Sequence, residues 1–286
     1  MTTGPGTTAR PHRAVTIAVT SGKGGVGKTS VVVNLAVALA RLRRTVAVLD
    51  ADFGLGNVDV LLGLAPAFHL GHLLAGEKRI HDIVVPGPLG IQIIPASSGL
   101  RDLTALGPAQ WQRLAEALET ISAEVDFLLI DTAAGISDNV IDLLSGLHRV
   151  LVVTSLEPSA IVDAYAILKI LSTESADKEI GILVNGARDS AEADLVFRQL
   201  DVAAERFLGC HPQYYGHVAH DPTVREAVLA QRAIVDHCPQ SAASRCFRVL
   251  ASRIAALSTD DRQGLRLVPP VRDPSVPSPS TECVPC

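Results

Sequence analysis

The chain has 286 residues, 48% of them apolar and only 3% aromatic, and carries a net charge of −5. That length suits one large α/β domain with an ample core, and the acidic balance excludes a generally basic nucleic-acid binder. No stretch reaches the ~18 uninterrupted apolar residues of a spanning helix and the N-terminus lacks a signal-peptide core, so the expected location is the cytoplasm.

Residues 1–13, with Gly4-Pro5-Gly6 and Pro11, predict a flexible N-terminal arm. Residues 14–19 are a β-branched run with strand character, and residues 31–40 have helical length and much alanine. Between them lies Gly22-Lys23-Gly24-Gly25-Val26-Gly27-Lys28-Thr29-Ser30, which satisfies G-x-x-x-x-G-K-[ST] in the strand-to-helix setting that gives this pattern its meaning. The glycines let main-chain N–H groups turn inward on phosphate oxygens, and the helix start adds partial positive charge. Lys28 is expected to neutralise the β- and γ-phosphates, and the Thr29 hydroxyl to ligate Mg²⁺.

The loop carries a second lysine, Lys23, directly after its first glycine. With it the stretch resembles the deviant Walker A loop, K-G-G-x-G-K-[ST], of the MinD/ParA ATPases. The resemblance implies ATP as cofactor and a nucleotide-sandwich homodimer in which Lys23 reaches the partner's phosphates, much as an arginine finger does.

Residues 45–49 predict a second buried strand, ending in Asp50-Ala51-Asp52. An extended chain has period two, so both carboxylates point the same way at the sheet edge where ligands of doubly wound folds lie. Paired there, they can hold the Mg²⁺ shell and orient or deprotonate a water. The family resemblance makes Asp52 the water-activating residue and Asp50 its support. Gly54 and Gly56 give the next turn freedom to move, and a short helix follows. His69 and His72, at i and i+3, read as ordinary helix surface without a third ligand, and no metal is assigned to them.

From Asn57-Val58-Asp59-Val60-Leu61-Leu62-Gly63-Leu64 to Ile94-Pro95-Ala96-Ser97-Ser98-Gly99, the chain is similar to the flagellar-number regulators, the FlhG/FleN group of MinD-like ATPases. Leu70-Gly71-His72-Leu73-Leu74-Ala75-Gly76 fits the same group, and the likeness runs from about residue 14 to residue 257. It implies as partners a signal-recognition-type (FlhF-type) GTPase, a flagellar transcription activator and switch-complex proteins, with transient recruitment to a membrane surface or cell pole. The arm lacks the D-Q-A-x-x-L motif with which some of the group stimulate that GTPase.

Residues 108–124 predict an amphipathic helix with Trp111, Leu114, Leu118 and Ile121 inward. Residues 125–131 are apolar up to Asp131 and continue as Thr132-Ala133-Ala134-Gly135, the form of a Walker B strand and second switch, in which Asp131 holds Mg²⁺ through water. Further strands are expected at 149–154, 180–185 and, more weakly, 213–218, with a helix at 159–171 that has proline near its start. Asn185 ends one of these strands with a carboxamide that can donate to and accept from an adenine edge at once. Resemblance places that asparagine on the base, and Asp221, in His220-Asp221-Pro222, in the family's loop near adenine.

Residues 242–257 predict a closing amphipathic helix. MinD-like relatives often bind membrane with such a helix, but its place in the chain favours core packing. Residues 258–286 hold six prolines and predict a disordered tail that ends in Cys283-Val-Pro-Cys286, a lone C-x-x-C without a second pair. No cysteine precedes Cys210, which argues against a cluster carrier.

The expected fold is α/β: a doubly wound, mostly parallel sheet of seven or eight strands, a P-loop NTPase of the MinD/SIMIBI type spanning 14–257. The expected activity is Mg-dependent ATP hydrolysis in a dimerising switch for flagellar number. The alternatives are a MinD-type membrane-positioning ATPase and a ParA-type DNA-partition ATPase. Only five lysines in the chain make DNA the weaker partner.

Overall fold

The computed structural model describes residues 13–96, 106–174 and 178–257. Its strands are β1 (Val15–Ser21), β2 (Val46–Ala51), β3 (Val85–Pro86), β4 (Gln92–Ile94), β5 (Phe127–Ala134), β6 (Arg149–Thr154), β7 (Glu179–Ala187) and β8 (Gln213–Ala219). They form one sheet in the order β3-β4-β2-β5-β1-β6-β7-β8. Every neighbouring pair is parallel except β3 with β4.

The helices are α1 (Lys28–Arg41), α2 (Val58–Leu61), α3 (Leu70–Ala75), α4 (Ile80–Ile83), α5 (Pro108–Ser122), α6 (Asp138–Ser145), α7 (Pro158–Glu174), α8 (Ser190–Leu208), α9 (Thr223–Leu229), α10 (Ile234–His237) and α11 (Ala242–Ala255). They cover both sheet faces, which is why the strands read as continuous apolar runs. The period of two divides each strand: Leu128 and Ile130 of β5 and Val150 and Val152 of β6 face α3, α5, α6, α7 and α8. Phe127, Leu129, Leu151 and Val153 face α1, α9, α10 and α11.

Trp111, Leu114, Leu118 and Ile121 are all buried on α5, as their spacing requires. α11 lays Ala243, Phe247, Leu250, Ala251 and Ile254 into the core, so its apolar face is spent on packing. α8 has no counterpart among the sequence expectations. It starts at Asp189, whose side chain accepts the Glu192 N–H at 2.9 Å, and ends at Gly209 with φ 65°. The expectations for residues 1–12, 97–99 and 258–286 lie outside the described residues.

β1 sits at the centre of the sheet, and the chain leaves it toward β2 on one side while β6 lies on the other. The C-terminal end of β1 is therefore a topological switch point, the crevice where open α/β sheets bind ligands. Residues 22–27 lie there, between β1 and α1.

Candidate nucleotide site

The loop depends on its first and last glycines for different reasons. A Cβ on Gly22 would lie inside the backbone of Asp163 on α7, so that position requires close approach. Gly27 has φ 90°, and a Cβ there would strike the Asn185 amide. Asn185 Nδ2 donates to Val26 O at 2.7 Å, so the side chain expected to meet a base also buttresses the loop.

Lys28 and Asp131 form the electrostatic floor. Lys28 Nζ donates to Asp131 Oδ1 at 2.9 Å, with side-chain exposures of 8% and 1%. Burial pushes the Asp131 carboxyl up, against the pull of Lys28 and a hydrogen bond from Thr29. Asp50 pairs with Asp131 across β2 and β5 and is 1% exposed. Burial first, and then the Asp131 charge, push Asp50 up to about 7. Both Asp50 oxygens are occupied, Oδ1 by the Asp52 N–H at 3.1 Å and Oδ2 by the Val58 N–H at 3.0 Å. The turn that carries Asp52 is thus wound around Asp50. Asp52 Oδ1 in turn accepts the Leu55 N–H at 3.0 Å.

Gly56, expected only to loosen this turn, is packed: a Cβ there would meet Ala96 and the Asp50 carboxylate. Lys23 stands at the lip of the loop. Its Nζ binds Glu157 and donates to Ser159 Oγ at 2.9 Å, both on the segment that opens α7 of the same chain. Glu157, Ser159 and Asp163 escape sequence reasoning because their partners lie 134 to 141 positions away. Only the β1–β6 pairing, which brings Thr20 beside Val152, would have pointed to that segment.

Two cavities flank Asn185. One, of about 450 Å³, is mainly apolar and is lined by Gly27, Ser30, Asn185, Asp221, Pro222 and Phe247. The other, of about 420 Å³, is polar and is lined by Lys23, Gly24, Gly25, Ser155, Glu157 and Asn185. An apolar hollow beside a polar one, with Asn185 lining both, suits a base and its phosphate tail. Asp221 lines the first, yet its oxygens are engaged by the Thr223 N–H and hydroxyl at 3.0 and 2.6 Å and by the Ala243 N–H at 3.1 Å. It therefore organises the loop between β8 and α9, and these bonds hold its carboxyl below the usual range although burial opposes them.

The donor set also suits Mg²⁺. The Asp131 charge raises the proton affinity of Asp50, and the Asp52 charge that of Asp131, a crowding of carboxylates that a divalent cation relieves, and the Thr29 hydroxyl sits beside Asp131. Among the described residues no three His, Cys, Asp or Glu side chains are grouped to cage an ion. Mg²⁺ does not need such a cage, because it is held by one or two carboxylates together with water and phosphate oxygens.

A glycine loop feeding a helix from the central strand, with its lysine on a buried aspartate at the end of the adjacent strand, defines a P-loop nucleoside triphosphatase. A family model described as the NUBPL iron-transfer P-loop NTPase, of the ParA class, matches residues 13–255. The antiactivator FleN of Pseudomonas aeruginosa is 43% identical over 243 residues, covering 85% of this chain and 87% of its own length. The flagellum site-determining protein YlxH of Helicobacter pylori is 30% identical over 241 residues, 84% of this chain and 81% of its own. The septum site-determining protein MinD of Pyrococcus horikoshii, solved with Mg-ADP, superposes with a TM-score of 0.70 at 26% identity, covering 85% of this chain and 97% of that one. The chain belongs to the ParA/MinD family of P-loop ATPases, and within it is similar to FleN.

Proposed function

We propose that the chain is an ATP-dependent dimerising switch of the FlhG/FleN type, hydrolysing ATP to ADP and phosphate and acting on flagellar number or placement. The observation that carries this reading is Lys23: a cation at the lip of the phosphate loop, 38% exposed and held, among the described residues, by Glu157 and Ser159. An exposed pair of this kind contributes ~0–1 kcal/mol, little enough to exchange for a phosphate. The flagellar part is supported by the similarity to FleN and to YlxH.

In this reading the main chain of residues 22–30 receives the phosphates, Lys28 neutralises them, and Thr29, Asp131 and Asp50 hold Mg²⁺. Mg²⁺, when bound, offsets charge on the β- and γ-phosphates. Asp52 orients the attacking water and takes its proton, held in place by the turn around Asp50. Asn185 reads the base while bracing the loop, and Asp221 shapes the base pocket from behind. Lys23 leaves Glu157 and Ser159 for the phosphates of a second copy, so two nucleotide faces close on each other. Hydrolysis reopens them.

A flagellar GTPase, a transcription activator and switch-complex proteins are the partners this reading carries over, with transient recruitment to the membrane or pole. No described helix is long and apolar enough to cross a membrane. Because α11 spends its apolar face on the core, surface recruitment would use another part of the chain.

Lys23→Ala tests the reading. Turnover should fall at least ~10²-fold, as for loss of a cation supplied in trans, while nucleotide affinity changes little. Turnover at the parental rate refutes the sandwich mechanism. Counting flagella in a deletion strain tests the biological assignment separately, and an unchanged count removes it.

A further inference from the structure

α3 opens on two imidazoles where a helix ordinarily starts with a hydroxyl or carboxylate. His69 Nδ1 accepts the Gly71 N–H at 3.2 Å, and His72 Nδ1 accepts the His69 N–H at 3.3 Å. The exchange is reciprocal, as in a capping box, but the acceptors are imidazole nitrogens, whose lone pair is lost on protonation. The two ring centroids lie 4.1 Å apart, and Phe68 stands edge-on to His72 at 5.4 Å.

Each cap requires a lone pair on Nδ1, so each ring must be the neutral tautomer protonated at Nε2. Protonation turns an acceptor into a donor aimed at an N–H. It also sets two positive rings side by side at the positive end of a helix.

The charged surroundings do little to rescue the protonated pair. Glu77, whose N–H donates to His72 O, is the acidic neighbour of His69. Lys78 lies over the Phe68 ring at 3.9 Å, and Arg113 of α5 donates to Leu74 O at 2.7 Å. On α4, His81 faces Glu124 and Asp82 faces Arg79. Burial, and then the His72 charge, hold His69 below the ordinary histidine value, with Glu77 opposing.

The helix so capped is joined to the nucleotide site. Leu70, Leu73 and Leu74 are buried in the same cluster as Ile94, Trp111 and Leu114. The Leu70 N–H donates to Pro95 O at 2.9 Å just beyond β4. The next residue, Ala96, packs against Gly56 in the turn that carries Asp52.

We propose that His69 and His72 form a proton-operated latch that keeps α3 docked at neutral pH and releases it on acidification, loosening the end of β4 beside the Asp52 turn. Because the folded protein binds the His69 proton more weakly than the unfolded chain, the cap contributes fully above about pH 6.5 and is lost as pH falls through the lower folded value.

Hydrogen-exchange protection factors for the amides of residues 70–76 in the full chain, at pH 7.5 and 5.5, test this without reference to ATP hydrolysis. The comparator is His69→Thr with His72→Asp, a capping box that does not titrate in that range. Wild-type protection should fall by up to about tenfold per pH unit below pH 6.5, while the double variant stays within about twofold. A flat wild-type profile, or an equal fall in the variant, overturns the latch. Imidazole ¹⁵N shifts of the unaltered protein at pH 7.5 give a second reading that needs no variant. Bare Nδ1 on both rings is expected, and a protonated Nδ1 on either overturns the proposal.

Discussion

Lys28→Met keeps most of the aliphatic stem and removes the charge that faces Asp131. The pair is 2.9 Å apart with its side chains 8% and 1% exposed, so almost nothing screens the carboxylate left behind. Breaking a buried pair by removing one member costs ~3–5 kcal/mol. The lower end applies, because Thr29 still donates to Asp131. With a urea slope of ~3 kcal/mol/M, a loss of ~3 kcal/mol moves the midpoint by ~1 M. The sign with pH is fixed. Without Lys28 the folded-state pKa of Asp131 rises further above its unfolded value, so the variant is least destabilised in acid and loses more as pH rises through that folded value. Asp131→Asn in the Lys28→Met background should restore most of the loss, since an amide needs no counter-charge. Urea melts of the apo protein at pH 5 and 8 measure all of this. A loss below ~1 kcal/mol, or a further loss on adding Asp131→Asn, refutes the buried-pair argument.

Asp50 is raised to about 7, so its contribution is complete below pH ~4 and is lost as pH climbs to 7. Asp50→Asn should flatten the stability profile over that interval in urea melts, and an unchanged slope would contradict the assignment. Asn185→Ala removes the bond to Val26 O and should weaken ADP binding about tenfold, ~1.4 kcal/mol by calorimetry; equal affinity would show that the amide is idle. Glu157→Ala breaks an exposed pair and should change stability by less than ~1 kcal/mol, so a larger loss in the same melts would mean that the α7 start depends on Lys23. Gly22→Ala forces a Cβ into the Asp163 backbone and should cost at least ~2 kcal/mol, and a neutral substitution would show that α7 can retreat.

What the sequence made legible follows from local chemistry. Residues 22–29 announce a phosphate loop because glycines, lysine and threonine must stand at fixed offsets between a strand and a helix. Asp50 and Asp131 could be set at one sheet edge because each ends an apolar run, and the register indeed pairs them. The four inward residues of α5 follow from helical period alone. What stayed hidden depends on tertiary pairing. Nothing local links Lys23 to Glu157, Gly22 to Asp163, or Asp221 to the start of α11. His69 and His72 looked like helix surface because imidazole is absent from the usual capping set, and only the Nδ1 geometry shows their use. The Asp52 turn looked free on account of its glycines, whereas Asp50 holds it with both oxygens.

If two copies close around nucleotide through Lys23, association must depend on that lysine. Sedimentation velocity of the full chain with Mg²⁺ and a non-cleavable ATP analogue, wild type beside Lys23→Ala, tests it most directly. A dimer is expected for the wild type and a nucleotide-loaded monomer for the variant. A wild type that stays monomeric at saturating analogue, or a variant that dimerises equally well, would contradict it.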